Sequence, residues 1–310
     1  MRIIIAGGSG LLGRALARRL VDLAHDVVIL SRRTSSSTRG NAREAAWTPD
    51  GSIGAWAREI DGADAVVNLA GAGIADRRWT TARKNQLKSS RIASTRSLVL
   101  AVQAASTRPG VFIQGSAIGY YGSSLSDRIH DEASPPGSDF LSRLAVEWEH
   151  EAQPVVAFGC RLVVIRTGIV LSRSGGALPP MARPFRLFVG GRIGSGRQYM
   201  SWVSIDDWVA LVTWAIDTPA AQGPINATAA NPVTNAEFSA TLGRALGRPA
   251  LLPVPAFALR LLFGEMAETV LLGGQRVAPI KARALGFRFQ YDDIQRALPH
   301  ALGDQHRDRE

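Results

Sequence analysis

Cysteine and lysine are scarce in this chain. Its 310 residues include one cysteine, Cys160, which excludes an internal disulfide framework and a zinc cluster built on cysteine. The five histidines show no ligand spacing, so no metal site is expected. This composition favours a reducing compartment, and we expect a cytoplasmic protein.

Long apolar runs are also missing. A membrane span needs about 18 uninterrupted apolar residues, and the longest candidate, residues 249–263, is interrupted by Pro253, Pro255 and Arg260. The apolar run at the N-terminus is short and leads into glycines, unlike a secretory signal. We therefore expect no membrane partner.

Positive charge is carried almost entirely by arginine, since only three of the 36 basic residues are lysine. The formal net charge of +10 predicts attraction to phosphates, nucleotides or acidic surfaces. Nucleic acid is not expected as a partner, because the basic residues are dispersed and no reader motif is present. One predicted helix carries a basic run, which is either a solvated face or a clamp for an anionic substrate such as a nucleotide diphosphate. The run consists of Arg77, Arg78, Arg83, Lys84, Lys88, Arg91 and Arg96.

The first twenty residues predict a buried strand, a glycine turn and an amphipathic helix. Residues 3–6 are a continuous apolar run, and Leu12, Leu16 and Leu20 then recur at a spacing of four. Glycines at positions 7, 10 and 13 permit a sharp turn, close approach of a pyrophosphate and close packing of the helix on the strand. The predicted cofactor-binding residues of this turn are Gly7, Gly8, Ser9, Gly10, Leu11, Leu12 and Gly13. A purely structural turn is the alternative.

The second predicted strand, residues 26–30, ends in Ser31, Arg32 and Arg33. An NAD site normally has an acidic residue here for the ribose 2′-hydroxyl. A guanidinium can instead bind a 2′-phosphate with two hydrogen bonds. The sequence therefore predicts NADP(H) in preference to NAD(H), unless both arginines are only solvated loop charges.

Strands and helices alternate along most of the remaining chain. Buried strands are predicted at residues 65–69, 110–115 and 162–165, with helices near 80–105 and 140–152. This order predicts an α/β fold, a Rossmann-type doubly wound parallel sheet, in residues 1–170, with the sheet completed by residues 201–230. Residues 171–200 and 231–302 are expected to form a smaller, mostly helical substrate-binding region, followed by a tail at 303–310. Asp206 or Asp207 is expected to cap the helix near 208–216.

Several strings resemble the extended short-chain dehydrogenase/reductases, and more narrowly their atypical, epimerase-like subfamily with its own C-terminal domain. They are Asn68-Leu69-Ala70-Gly71, Arg78-Trp79, Ser90-Arg91-Ile92, residues 116–122, Trp148-Glu149, Arg166-Thr167-Gly168 and residues 198–207, with Gly264-Glu265 and Gly286-Phe287 near the end. The resemblance covers nearly the whole chain and implies a Rossmann fold that binds NAD(P). The further cofactor-binding residues predicted with it are Leu69, Ala70, Gly71, Arg91, Gly115 and Thr167.

The chain departs from this family at its catalytic residues. Active members carry Tyr-x-x-x-Lys on the helix after the serine-bearing strand, but here the matching helix, residues 140–149, has no tyrosine and no lysine. Ser116, Tyr120 and Tyr121 are the remaining hydroxyl candidates. A tyrosine needs a nearby cation to exchange protons at neutral pH, and the candidates are Arg166 or the pair Arg77 and Arg78. The alternative is that both tyrosines pack and Ser116 is a simple loop hydroxyl.

Two functions are consistent with these patterns. The first is an NADP(H)-binding, epimerase-like oxidoreductase or isomerase acting on a small, anionic or nucleotide-linked substrate. The second is a non-catalytic NADP(H) sensor, which the missing tyrosine and lysine favour. Trp79 and Trp202 are expected to be core residues rather than stacking platforms. The oligomeric state, monomer or homodimer, is left open.

Overall fold

The computed structural model describes residues 1–32 and 42–303. The strands are β1 (Arg2–Ala6), β2 (Asp26–Ser31), β3 (Arg43–Ala46), β4 (Ala65–Asn68), β5 (Val111–Ala117), β6 (Ile129–His130), β7 (Arg161–Thr167), β8 (Ile169–Leu171), β9 (Tyr199–Met200), β10 (Trp202–Ser204), β11 (Gly223–Ala227), β12 (Val233–Thr234) and β13 (Arg276–Val277). The helices are α1 (Leu11–Asp22), α2 (Thr81–Ala104), α3 (Phe140–Ala152), α4 (Leu178–Arg186), α5 (Ile205–Asp217), α6 (Asn235–Leu246), α7 (Ala256–Phe263), α8 (Ile280–Ala284) and α9 (Ile294–Leu302).

Seven strands form the central sheet in the order β11-β7-β5-β4-β1-β2-β3. The pairs of β1 with β2, β1 with β4, β2 with β3 and β4 with β5 are all parallel. The strand order reverses beside β1, which is the topology of a doubly wound fold. The predicted Rossmann-type fold and the helical C-terminal region are therefore confirmed.

The described residues fall into two compact units. Unit 1 consists of the described residues within Met1–Ala117, Leu144–Arg166 and Val209–Ile225. Unit 2 consists of the described residues within Ile118–Arg143, Thr167–Trp208 and Asn226–Glu310. The domain boundary expected at residue 170 stays a prediction.

The core of unit 1 follows from the sequence pattern. The three isoleucines of β1 are fully buried, as a strand covered on both faces requires. Helix α1 buries Leu16 and Leu20 on one face while Arg14 and Arg18 stay exposed on the other. Each fully buried isoleucine or leucine stabilises the fold by about 1.5–3 kcal/mol relative to exposure.

Unit 2 has its own core, in which Trp202 and Phe238 are fully buried. Trp202 is thus a core residue. Helix α5 begins at Ile205, and its side-chain cap is Ser204, whose Oγ accepts the Asp207 N–H at 3.0 Å. The expectation that an aspartate caps this helix is wrong, because a serine three residues before Asp207 already provides the acceptor.

Asp207 instead connects α5 to a loop of unit 2. Its carboxylate accepts the backbone N–H groups of Gln290 and Tyr291 at 2.7 and 2.9 Å. Burial raises the pKa of Asp207, while these hydrogen bonds act in the opposite direction. Asp206 lies at the surface, where it pairs with His300 at 2.7 Å.

Candidate functional site

The predicted cofactor residues of unit 1 lie along one edge of the sheet. Ala6, Asn68 and Leu30 occupy matching positions in β1, β4 and β2, so these parallel strands end together. The glycine turn follows β1, Leu69 to Gly71 follow β4, and Ser31 ends β2. Ligands of doubly wound sheets bind beyond this carboxyl edge.

The glycine turn leaves no room for side chains. Gly7 has φ of +81°, and a Cβ there would lie 2.6 Å from the carbonyl carbon of Leu69. A Cβ on Gly13 would lie 2.4 Å from the Gly7 oxygen, and one on Gly8 would lie 2.5 Å from the Ile29 side chain. Glycine at these three positions lets the turn, helix α1 and strands β2 and β4 approach closely.

Gly10 has a different role in the same turn. It is the N-cap of α1 with φ of −74° and ψ of 174°, and no side chain caps the helix there. Among the described residues, a Cβ at Gly10 would meet the Gly7 oxygen alone, at 3.3 Å, so these residues leave space beside the helix terminus. A bare helix N-terminus with open space presents N–H groups and a positive dipole end to an anion. The turn therefore fits a dinucleotide phosphate.

Arg91 is a buried cation next to this edge. It lies on α2 with about 8% of its surface exposed, and its guanidinium is 5.0 Å from the centre of the Trp148 ring. A Cβ on Gly71 would lie 3.1 Å from the Arg91 side chain. Nη1 donates to the Leu87 carbonyl at 3.0 Å, but no carboxylate in the described part of the chain pairs with Arg91. Burial, followed by the charge of Arg83, lowers the pKa of Arg91 to about 10.

A buried charge without a counter-ion is costly unless a ligand supplies one. Arg91 stays cationic near pH 7 with a pKa of about 10, so the site has one uncompensated positive charge. A phosphate beside Gly71 would provide the missing anion. Among the described residues of unit 1, Arg91 is a buried cation whose charge a bound phosphate could neutralise.

Ser116 belongs to a buried ion-pair cluster. Its Oγ donates to Glu149 Oε1 at 2.6 Å, while Arg166 donates to both oxygens of that carboxylate at 2.9 Å. All three residues are buried, and they join β5, α3 and β7. The hydroxyl proton of Ser116 is therefore committed to Glu149 inside the unit.

Glu149 was not predicted as a site residue, although the sequence carries a signal for it. Ala145, Trp148, Glu149 and Ala152 recur at the spacing of one helix face, and all four are buried. A carboxylate on an otherwise apolar face indicates a buried partner. The identity of that partner is a matter of tertiary structure.

Amide and hydroxyl groups between β4, α2 and β5 form a second buried network. Asn68 Nδ2 donates to Thr95 Oγ1 at 2.8 Å and to Gln114 Oε1 at 3.0 Å. Trp148 Nε1 donates to the same Thr95 hydroxyl at 3.0 Å. Gly115 lies beside this network, and a Cβ there would lie 2.8 Å from the backbone carbonyl oxygen of Asn68. The network holds the ends of β4 and β5 in place below the candidate cofactor site.

Tyr120 and Tyr121 belong to unit 2. The Tyr121 hydroxyl donates to Asn226 Oδ1 at 2.7 Å, and its ring stacks on His130 with centroids 5.3 Å apart. Tyr121 is buried, while Tyr120 is half-buried and packs edge-on against it. Burial is the largest cause of a lowered pKa at His130, so no cation forms readily beside the Tyr121 ring. This geometry is that of a packed, hydrogen-bonded tyrosine.

The arginines expected at the 2′-phosphate are only partly within the described structure. Ser31 is buried at the end of β2, and Arg32 is exposed immediately after it. Arg33 lies outside the described residues. Thr167 ends β7 in unit 2, where its Oγ1 accepts the Trp208 indole N–H at 3.0 Å.

Arg77 and Arg78 of the predicted basic run lie before α2, and part of the remaining run pairs with carboxylates of unit 1. Lys88 contacts Glu147 at 2.6 Å, and Arg96 binds both oxygens of Glu151 at 2.8 and 3.1 Å. These pairs connect α2 to α3 and neutralise part of the run. The geometry therefore favours a helix-packing role for Lys88 and Arg96 over a substrate clamp.

The described residues contain no cluster of histidine, cysteine, aspartate and glutamate suited to a metal ion. None of the described helices is both long and apolar enough to cross a bilayer.

Taken together, the seven-stranded sheet, the glycine turn and the bare terminus of α1 define a dinucleotide-binding α/β protein of the Rossmann type. The model of the NAD dependent epimerase/dehydratase family matches residues 3–227, and a domain of unknown function (DUF1731) matches residues 254–301. The chain belongs to the NAD-dependent epimerase/dehydratase family.

Similar proteins are known from several bacteria and from human. An epimerase family protein of Mycobacterium bovis, Mb2239, is 43% identical over 96% of this chain and 97% of its own length. YfhF of Bacillus subtilis is 38% identical over 98% and 99%. The crystal structure of human epimerase family protein SDR39U1 (isoform 2) with NADPH has a TM-score of 0.88 at 34% identity, covering 98% of this chain and all of that one. A nucleoside-diphosphate sugar epimerase of Corynebacterium glutamicum has a TM-score of 0.79 at 33% identity, covering 98% of this chain and 58% of that one.

Proposed function

We propose that this chain binds NADP(H), in preference to NAD(H), at the carboxyl edge of the unit 1 sheet. The observation that carries the proposal is the buried guanidinium of Arg91, which has no carboxylate partner among the described residues and lies beside Gly71 at the same sheet edge as the glycine turn. The human relative crystallised with NADPH supports the same cofactor. Arg32, exposed at the end of β2 where an NAD site has an acid, supports the preference.

The residues present would each hold one part of the dinucleotide. The N-terminus of α1 beyond Gly10 would bind the pyrophosphate, with Arg91 as the neutralising side chain. Arg32, together with Arg33, would bind the 2′-phosphate. When bound, the cofactor supplies a hydride donor or acceptor at its nicotinamide ring.

The same geometry favours binding over proton-transfer chemistry. Proton exchange with a substrate needs a hydroxyl that is available to it. Two of the three candidate hydroxyls, those of Ser116 and Tyr121, donate to buried partners, Glu149 and Asn226, and the third residue, Tyr120, is half-buried against Tyr121. We therefore propose a non-catalytic NADP(H) sensor, which changes a partner's behaviour according to the state of the cofactor.

An oxidoreductase or epimerase is the second candidate function. The likeness to a protein named as a nucleoside-diphosphate sugar epimerase favours it, and it would act on a small, anionic or nucleotide-linked substrate. Oxidation of NADPH by a panel of carbonyl compounds, followed by nicotinamide absorbance, separates the two candidates. Turnover that Ser116→Ala or Tyr121→Phe abolishes would support the enzyme and contradict the sensor.

Arg91→Met tests the proposed binding site. It keeps most of the side-chain volume against Trp148 but removes the charge, and we expect NADPH affinity to fall by about tenfold or more, or about 1.4 kcal/mol. Titration of NADPH fluorescence measures the affinity. Arg18→Met is the matched control, because Arg18 is exposed on α1. Unchanged NADPH affinity in a folded Arg91→Met variant would show that Arg91 does not bind the cofactor.

A further inference from the structure

Unit 2 carries a group of protruding apolar side chains, which we call the apolar tip. Its members are Leu187 (64% exposed), Phe188 (58%), Val189 (50%), Leu251 (81%) and Leu252 (53%). Single exposed apolar residues are ordinary, but five large ones from two short segments are not. A contiguous exposed apolar surface marks an interaction site.

Backbone and ring contacts join the two segments into one surface. The Leu252 N–H donates to the Gly190 carbonyl at 3.2 Å, so residues 187–190 and 251–252 run side by side. The Arg248 guanidinium lies 4.5 Å from the centre of the Phe188 ring. The apolar tip is therefore a single feature and not a scatter of side chains.

Phe188 is presented in a disfavoured backbone conformation. Its φ is +61°, a value that only one other described non-glycine residue, Ala24, shares. An aromatic residue rarely occupies this region, whereas glycine and asparagine do so readily. The conformation closes helix α4, because the Phe188 and Val189 N–H groups donate to the Phe185 and Pro184 carbonyls at 2.9 and 3.0 Å. Glycine would close the helix equally well without exposing a ring, so the exposed ring at this cap favours an external partner.

The chain segments that form and flank the apolar tip are strongly basic. Residues 178–197 and 240–263 contain seven arginines and no acidic residue. They are Arg183, Arg186, Arg192, Arg197, Arg244, Arg248 and Arg260. Within residues 1–32 and 42–303, only Arg260 of the seven forms an ion pair, with Glu268. The partner of this surface is expected to be anionic as well as apolar.

This charge pattern selects among the possible partners. A second copy docked on the same surface would bring two groups of arginines together across the symmetry axis, which is repulsive. An anionic bilayer offers acyl chains to protruding side chains and phosphates to the arginines that flank them. Shallow insertion of this kind needs no membrane-spanning segment.

A shallow groove next to the apolar tip has the same chemistry. It has a volume of about 500 Å³ and is lined by Pro179, Pro180, Arg183, Pro184, Leu187 and Val189. Arg183 is the one charged residue among these. The groove thus places a cation within an apolar surface, as a lipid phosphate above its acyl chain requires.

We propose that the apolar tip inserts into the surface of an anionic lipid bilayer, with the surrounding arginines bound to lipid phosphates. This would make the chain a peripheral membrane protein, whatever its cofactor does. The expectation of no membrane partner came from the lack of a long apolar run, which bears on spanning segments alone.

Co-sedimentation with vesicles tests the proposal. Wild-type protein is expected to bind vesicles of phosphatidylcholine and phosphatidylglycerol, to bind pure phosphatidylcholine vesicles far less, and to be released by salt. Phe188→Asn combined with Leu251→Ser is expected to weaken binding by about tenfold or more. Asparagine suits a positive φ, so this variant should be at least as stable as wild type.

Matched control variants distinguish insertion of the apolar tip from nonspecific hydrophobic or electrostatic binding to vesicles. Val156→Ser removes a similarly exposed apolar residue from unit 1 and should leave binding unchanged. Arg183→Gln with Arg186→Gln should weaken binding more than Arg18→Gln with Arg19→Gln, which removes the same charge from α1. No binding to anionic vesicles, or equal binding by the double variant at the tip, would overturn the proposal. A wild-type dimer that this variant converts to a monomer would also overturn it, since a second copy would then cover the surface.

Discussion

Replacing Glu149 by alanine should reveal how much of unit 1 depends on the buried cluster around it. The carboxylate accepts three hydrogen bonds of 2.6 to 2.9 Å, one from Ser116 and two from Arg166. Arg166 is about 4% exposed and would lose this two-point ion pair inside the protein. Removing one member of a buried ion pair costs about 3–5 kcal/mol. We expect a loss of this size in the free energy of unfolding.

A neighbouring ion pair, also on α3, provides the control. Glu147 lies two residues earlier on α3 and contacts Lys88 at 2.6 Å, but both side chains are about half exposed. A surface pair of this kind is worth about 0.2–1 kcal/mol. Urea denaturation of Glu147→Ala and Glu149→Ala should therefore give clearly different midpoints, and replacing Glu149 and Arg166 together by Leu and Met should recover most of the loss.

Ser116→Ala gives an intermediate result in the same series. It removes one hydrogen bond to a charged group, worth about 1.5–3 kcal/mol, while Arg166 still binds both carboxylate oxygens. If Glu149→Ala costs no more than Glu147→Ala, the cluster is not a structural element. A Ser116→Ala variant of unchanged stability but lost activity would likewise refute the structural role given to Ser116.

Three other perturbations have defined outcomes. A hydrogen bond from Arg43 is the largest cause of a lowered pKa at Glu59. The ionised Glu59 carboxylate therefore stabilises the fold above pH 4.5, and this stabilisation is lost as the pH falls below that value. The difference in melting temperature between wild type and Glu59→Gln should shrink between pH 6 and pH 3.5. Burial raises the pKa of Cys160 to about 12. At pH 8 the thiol of the native protein should therefore react with a disulfide reagent about a hundredfold more slowly than the thiol of the unfolded chain. Rapid labelling of the native protein would contradict this. Tyr121→Phe leaves the buried Asn226 oxygen unpaired and should cost about 1–3 kcal/mol in denaturant unfolding, whereas an unchanged midpoint would show that the hydroxyl is dispensable for stability.

The glycine turn and the strands around it could be predicted because their causes are local. The apolar run of β1, the spacing of Gly7, Gly10 and Gly13 and the apolar face of α1 are all contained in twenty residues. Each has a direct structural counterpart in backbone angles or excluded volume.

Interactions between distant residues could not be predicted in the same way. Tyr121 and Asn226 are 105 positions apart, and Ser116 and Glu149 are 33 apart. A hydroxyl in the sequence has the same chemistry whether it faces a ligand or an internal carboxylate, so only the fold distinguishes the two. The cap of α5 was missed for a smaller reason, because Ser204 and Asp207 are both good capping residues and only the first lies at the helix boundary.

The preference for a phosphorylated cofactor depends on residues at the end of β2. Arg32→Ala with Arg33→Ala should weaken NADPH binding while leaving NADH binding almost unchanged, because only NADPH carries the 2′-phosphate. Equal losses for both cofactors would point to a general electrostatic effect.

Calorimetric titration of the full chain with NADPH and with NADH measures whether the carboxyl edge of the unit 1 sheet binds a dinucleotide and which one it prefers. We expect NADPH to bind with an affinity about tenfold or more above that of NADH, a difference of about 1.4 kcal/mol. Equal affinities would contradict the assignment of the 2′-phosphate site, and no binding of either nucleotide would contradict the cofactor site itself.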